Sequence, residues 1–107
     1  MVTLNAVLVL GAVIFFIGLF GALSRRNAVG ILMSIEIMLN AVNITLVGFA
    51  SAFVHQATFG PRLTGQVFAI FIITVAAAEA AVALAMIIAI YRRRNTIDVG
   101  EINLMRW

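Results

Sequence analysis

The sequence predicts an all-α integral membrane protein of three transmembrane helices. Its N-terminus is expected on the non-cytoplasmic side and its C-terminus in the cytoplasm or stroma. Three observations carry this expectation. The 107 residues are 64% hydrophobic and 10% charged, with mean hydropathy +1.19, more apolar than a soluble domain of this size requires. Three long stretches are nearly free of charge. Met1 to Ser24 carries none, Asn27 to Gly60 has one acid, Glu36, and Leu63 to Tyr91 has one, Glu79. Finally, five of the seven arginines stand in two clusters, Arg25-Arg26 and Arg92-Arg93-Arg94, each directly after an apolar run.

Each run exceeds the ~20 residues that a helix needs to cross a hydrocarbon core about 30 Å thick. The spacing predicts spans over 2–23, 28–53 and 64–91, followed by a short polar tail, 92–107, in one membrane domain. The first span is not read as a cleaved leader, because its positive charges follow the apolar run instead of preceding it. Ser24-Arg25-Arg26-Asn27 reads as a tight turn with Asn27 capping the second helix. The second connection, 55–65, holds the Gly60-Pro61 pair that marks a turn, together with His55 and Arg62. Two basic ends and one weakly basic loop satisfy the positive-inside rule for an odd number of spans. The tail, with its amphipathic end Ile102–Trp107, is expected at the membrane interface or on a partner.

Composition also excludes several function classes. There is no cysteine, hence no disulfide framework, thiolate chemistry or Cys-ligated cluster. The lone His55 cannot form a metal site by itself. The arginines flank spans and no aromatics interleave them, so they read as a topology signal and not as a nucleic-acid surface. Small residues recur on the first span (Gly11, Gly18, Ala22) and around Glu79, permitting close helix approach and pointing to partner helices.

The unusual residues are the two acids. Glu36 lies ten residues after Arg26 and Glu79 thirteen before Arg92, about 15 and 20 Å into the membrane at 1.5 Å per residue. An ionised acid at that depth costs roughly 2.5–3.5 kcal/mol on an insertion scale. Two at matched depth call for a use. At 100° per residue, Glu36, Asn40 and Asn43 share one stripe of the second helix, within about 60° of each other. Ser34 and Thr45 fall on the opposite side, where they can bond back to their own helix. Glu79 has apolar neighbours, Ile72, Val75, Ala83 and Met86, so its polar partner must come from another helix or subunit. Desolvation disfavours the charged form of a carboxyl group, and a group so poised can accept a proton from one neighbour and release it to another. The expectation is a proton relay in which Glu36 and Glu79 exchange protons while Asn40 and Asn43 hold water or side chains. The plainer alternative is that both acids stay neutral and serve as hydrogen-bonding glue.

The run Ser24-Arg-Arg-Asn-Ala-Val-Gly-Ile-Leu-Met-Ser-Ile-Glu-Ile-Met-Leu-Asn-Ala-Val-Asn43, with Gly65-Gln-Val-Phe and Val75-Ala-Ala-Ala-Glu-Ala-Ala-Val-Ala-Leu-Ala85, closely resembles the K (4L) subunit of complex I-type proton-pumping NAD(P)H or ferredoxin:quinone oxidoreductases. The resemblance covers essentially the whole chain, and the tail is similar to the cyanobacterial and plastid branch. It implies a non-redox membrane-arm subunit of a translocase, in the respiratory or related electron transport chain of a bacterial plasma membrane or thylakoid. It further implies that Glu36 and Glu79 belong to a line of buried ionisable groups coupling quinone reduction to proton pumping, and that the basic loop Arg25-Arg26 is functionally sensitive. Neighbours would be the J, A and N subunits. Quinone, flavin and iron–sulfur clusters would be bound by other subunits, with no cofactor in this chain. The alternative is the C subunit of a multi-subunit Na+/H+ antiporter, which shares the three-helix plan. A small multidrug exporter needs four spans and an acid in the first, which this chain lacks.

Overall fold

A computed structural model describes residues 2–53 and 64–102 of the chain. The loop residues His55 and Arg62, and the tail end 103–107, lie outside the described residues. Three helices form: α1 (Leu4–Ser24), α2 (Ala28–Phe53) and α3 (Thr64–Arg94). All three are long and apolar enough to cross a membrane. α1 begins two residues later than the spacing predicts, because the Thr3 side chain accepts a hydrogen bond from the Ala6 N–H at 3.2 Å and caps the helix there. α3 runs on through Arg92–Arg94 instead of ending at Tyr91. Arginine favours helix, and cations suit the negative C-terminal end of the helix dipole. The stop is Asn95, at φ 56, whose N–H donates to Tyr91 O at 2.7 Å. That left-handed residue closes the helix.

α2 is the central element. α1 packs along one side of it and α3 along another, and among the described residues α1 and α3 do not pack on each other. The α1 contact is made by absent side chains. A Cβ at Gly11 would lie 2.5 Å from Thr45 Oγ1 and 3.4 Å from Ala41 O; one at Gly18 would lie 2.8 Å from Ser34 O. Both glycines are buried, which brings the two backbones together as small residues do between membrane helices. The hydroxyls that meet α1 are satisfied within α2: Ser34 Oγ donates to Gly30 O at 2.9 Å and Thr45 Oγ1 to Ala41 O at 3.0 Å.

α3 returns antiparallel on the other side of α2. Gly65 is packed against Ala50, near Leu46 O, and Leu39 and Ala76 line one cavity between the two helices. The described apolar residues buried in this pairing and in the α1 contact are small: Ala41, Ala69 and Ala76.

The described part of the tail stays at the end of the bundle, and residues 103–107 of its amphipathic end lie outside the described residues. Beyond Asn95 the chain turns back on the α1–α2 loop, where Ala28 N–H donates to Ile97 O at 2.9 Å and Val99 N–H to Arg26 O at 2.8 Å. Asn27 and Asp98 thus form an isolated antiparallel bridge. The described part of the tail is occupied by its own chain, because the loop after α1 leaves backbone groups that need partners. The bridge also places the Arg25-Arg26 loop and the Arg92–Arg94 end at the same end of the bundle.

Candidate functional site: the acidic level of α2 and α3

The Ala50–Gly65 contact fixes the register of α3 on α2. Glu36 lies fourteen residues before Ala50, and Glu79 fourteen after Gly65. In an antiparallel pair, both carboxylates therefore stand about 21 Å along their helices from that contact, at one level. Glu36 is half-buried and Glu79 is exposed on the surface of the chain.

The two acids do not open into one cavity. Glu79 lines a cavity of about 270 Å³ together with Leu39 of α2 and Phe68, Phe71, Ile72 and Val75 of α3. Its walls are otherwise apolar, as the sequence around Glu79 predicts. A second, larger cavity of about 860 Å³ lies between α1 and α3 against the C-terminal half of α2, lined by Thr3, Val7, Asn40, Asn43, Ser51 and Ile73 among others. Glu79 and Ile73 stand about 120° apart on α3, so the two cavities open on different sides of the α2–α3 seam. Glu36 lines neither.

The stripe Glu36–Asn40–Asn43 is divided by its surroundings. Asn40 is exposed, whereas Asn43 is 6% exposed and its Oδ1 has no hydrogen-bond partner. A buried amide oxygen without a donor costs about 1–3 kcal/mol, which sets Asn43 apart from a packing residue. Among the described residues, side-chain hydrogen bonds within α2 and α3 come from Ser34, Thr45 and Thr74, each returning to its own helix. Gln66 belongs to the Gly65-Gln-Val-Phe run but has no expected role. Its Oε1 is also buried and unpartnered; a glutamine near the start of an apolar span was the available signal.

Arg25 and Arg26 are exposed. The Arg25 stem lies over Gly30, where an added Cβ would come within 2.8 Å of Arg25 Cδ. The Arg26 carbonyl is held by the tail. Among the described residues, no three His, Asp, Glu or Cys side chains gather as metal ligands would.

Three long apolar helices, a half-buried acid on the central one and a second acid at the same level on its neighbour define a polytopic membrane protein with ionisable groups at depth. The family model for NADH-ubiquinone/plastoquinone oxidoreductase chain 4L matches residues 6–107. The chain belongs to that family. It is 54% identical over 106 residues to NAD(P)H-quinone oxidoreductase subunit 4L of the organellar chromatophore of Paulinella chromatophora, covering 99% of this chain and 98% of that one. It is 52% identical over 100 residues to NAD(P)H-quinone oxidoreductase subunit 4L of Synechocystis, covering 94% and 92%. It is 53% identical over 105 residues to NADH-quinone oxidoreductase subunit K of a Geobacillus, covering 98% and 96%. Family and spans together make this an integral protein of an energy-transducing membrane. The antiporter C subunit is set aside. The Synechocystis and Geobacillus proteins match at comparable identity.

Proposed function

We propose that this chain is a single membrane domain in the membrane arm of a complex I-type quinone oxidoreductase, where Glu36 and Glu79 pass protons between neighbouring subunits as quinone reduction drives pumping. The observation that carries the reading is the common level of the two acids on adjacent antiparallel helices, away from both helix ends. Glu79 lines a cavity that Glu36 does not reach, which suits a relay in the membrane plane: each acid meets a different neighbour, and this chain bridges the two. Asn43, buried with a free acceptor, and Asn40, exposed beside it, take water or a donor side chain from a neighbour. The neighbours are the J, A and N subunits; quinone, flavin and iron–sulfur clusters stay with other subunits. The electron donor is NADH or ferredoxin, according to the complex that houses the chain. Arg25 and Arg26 face the cytoplasm or stroma, and the N-terminus faces the other side.

The test replaces Glu36 and Glu79 by Gln, singly and together, in the assembled complex, and measures protons translocated per quinone reduced. Each single change is expected to lower the ratio, with the larger loss at Glu36, which carries the polar stripe. Normal assembly with an unchanged ratio in the double variant would leave the acids as hydrogen-bonding glue.

A further inference from the structure

We propose that the tail after α3 is a positioning clasp: through its backbone it completes the cap of α2 and ties the arginine-rich end of α3 to the start of α2. That Glu79 is thereby kept level with Glu36 matters to pumping only under the relay reading above; the clasp itself does not depend on it.

The first N–H groups of a helix have no acceptor within the helix. In α2, Val29 and Gly30 donate to Asn27 Oδ1 at 2.9 and 3.4 Å, and Ile31 to Asn27 O at 3.0 Å. The remaining donor, Ala28 N–H, is taken by Ile97 O, and the tail returns the bond from Val99 N–H to Arg26 O. The cap of α2 is complete only with the tail in place.

The tail is shaped for this contact by its own hydrogen bonds. Asn95 reverses the chain in the left-handed region. Asp98 N–H donates to Thr96 Oγ1 at 3.1 Å, Gly100 N–H to Asp98 Oδ1 at 2.8 Å and Glu101 N–H to Asp98 O at 3.1 Å. Each bend from Thr96 to Glu101 is thus pinned within the tail.

Packing gives the clasp its work. The buried residues of α3, Ala69 and Ala76, both precede Glu79. From Ala77 to Arg94 no residue of α3 is buried, and α1 does not reach it. Its face Ala80, Ala83, Ile87 and Ile90 is only half-buried, and the bridge between Asn27 and Asp98 adds a second tie for that half of α3.

The bonding pattern makes Asn27 and Asp98 a non-hydrogen-bonded antiparallel pair, whose Cα atoms stand about 4.5 Å apart, within the range a disulfide spans. The chain has no cysteine of its own, so the pair Asn27→Cys/Asp98→Cys is unambiguous. In the assembled complex in native membranes, mild oxidation is expected to join it, with the reduced form as reference and the proton-to-quinone ratio unchanged by joining. Adding Val99→Pro removes the N–H that holds Arg26 O, and should slow joining by about two- to tenfold, the worth of one backbone hydrogen bond. Val99→Ala keeps that N–H and should leave the rate alone. In the chain without cysteines, Val99→Pro should lower the ratio and Val99→Ala should not. Failure of the pair to join, or joining at an unchanged rate with Val99→Pro, overturns the clasp. Loss of pumping on joining overturns it as a fixed tie. The oxidised and reduced pair can be compared even if Val99→Pro does not assemble. Full coupling in the Glu36→Gln/Glu79→Gln variant would remove the relay and leave these joining rates untouched.

Discussion

One methyl group at position 11 tests how closely α1 lies on α2. The Cβ of Gly11→Ala would meet Thr45 Oγ1 at 2.5 Å, inside any real contact, and overpacking of this kind costs about 1–3 kcal/mol. The obstacle is a side-chain atom. Thr45→Ala removes it while keeping its own Cβ, which lies 3.9 Å from the added atom. The double variant is therefore expected to recover most of the stability that Gly11→Ala loses, a coupling that a double-mutant cycle on detergent-solubilised complex measures from unfolding midpoints. Equal losses in the single and double variants would mean that the backbones, not the hydroxyl, set the spacing. Gly18 offers no such rescue, since its nearest neighbours include Ser34 O. The small-residue face of α1 was legible in the sequence. Which α2 atom it meets was not, because a helical wheel gives the face of each helix but not the axial register between two.

At the scale of elements, α2 depends on its cap. Asn27→Ala removes the acceptor for Val29 and Gly30 N–H and is expected to cost about 1 kcal/mol, whereas Asn27→Asp retains the acceptor. Steady-state levels of assembled complex should follow that order, alanine below aspartate. The cap was legible because an asparagine before an apolar run has a local cause. So were three helices and two acids at depth, which need nothing beyond run length and residue spacing. The pairing of Ile97–Val99 with the loop was not legible: two backbone hydrogen bonds between segments some seventy positions apart leave no period in the sequence. Nor was the partition of the polar stripe. Asn40 and Asn43 share a face by spacing, but the seam with α3 runs closer to Asn43 and buries it while leaving Asn40 open.

As a whole, the molecule is a rod of 59 × 25 × 23 Å with very little interior. Phe16, Phe20, Leu23, Met33, Phe68 and Phe71 are all more than half exposed. With lipid as apolar as these side chains, burying them drives no folding within the membrane; close backbone contacts, with the backbone bridge of the tail at one end, hold the helices instead. α3 adds a mismatch of lengths. From Gly65 to Tyr91 it carries 27 residues with Glu79 as its one charge, about 40 Å of helix against a hydrocarbon thickness of about 30 Å. A helix that long accommodates by tilting, so bilayer thickness should act on its inclination and leave the helical content alone. Reconstituted into lipids of shorter or longer acyl chains, the complex should show α3 leaning more in the thin membrane and standing straighter in the thick one. Oriented infrared dichroism would read that angle, and an angle indifferent to acyl length would mean that neighbouring subunits, not lipid, dictate how the helix stands.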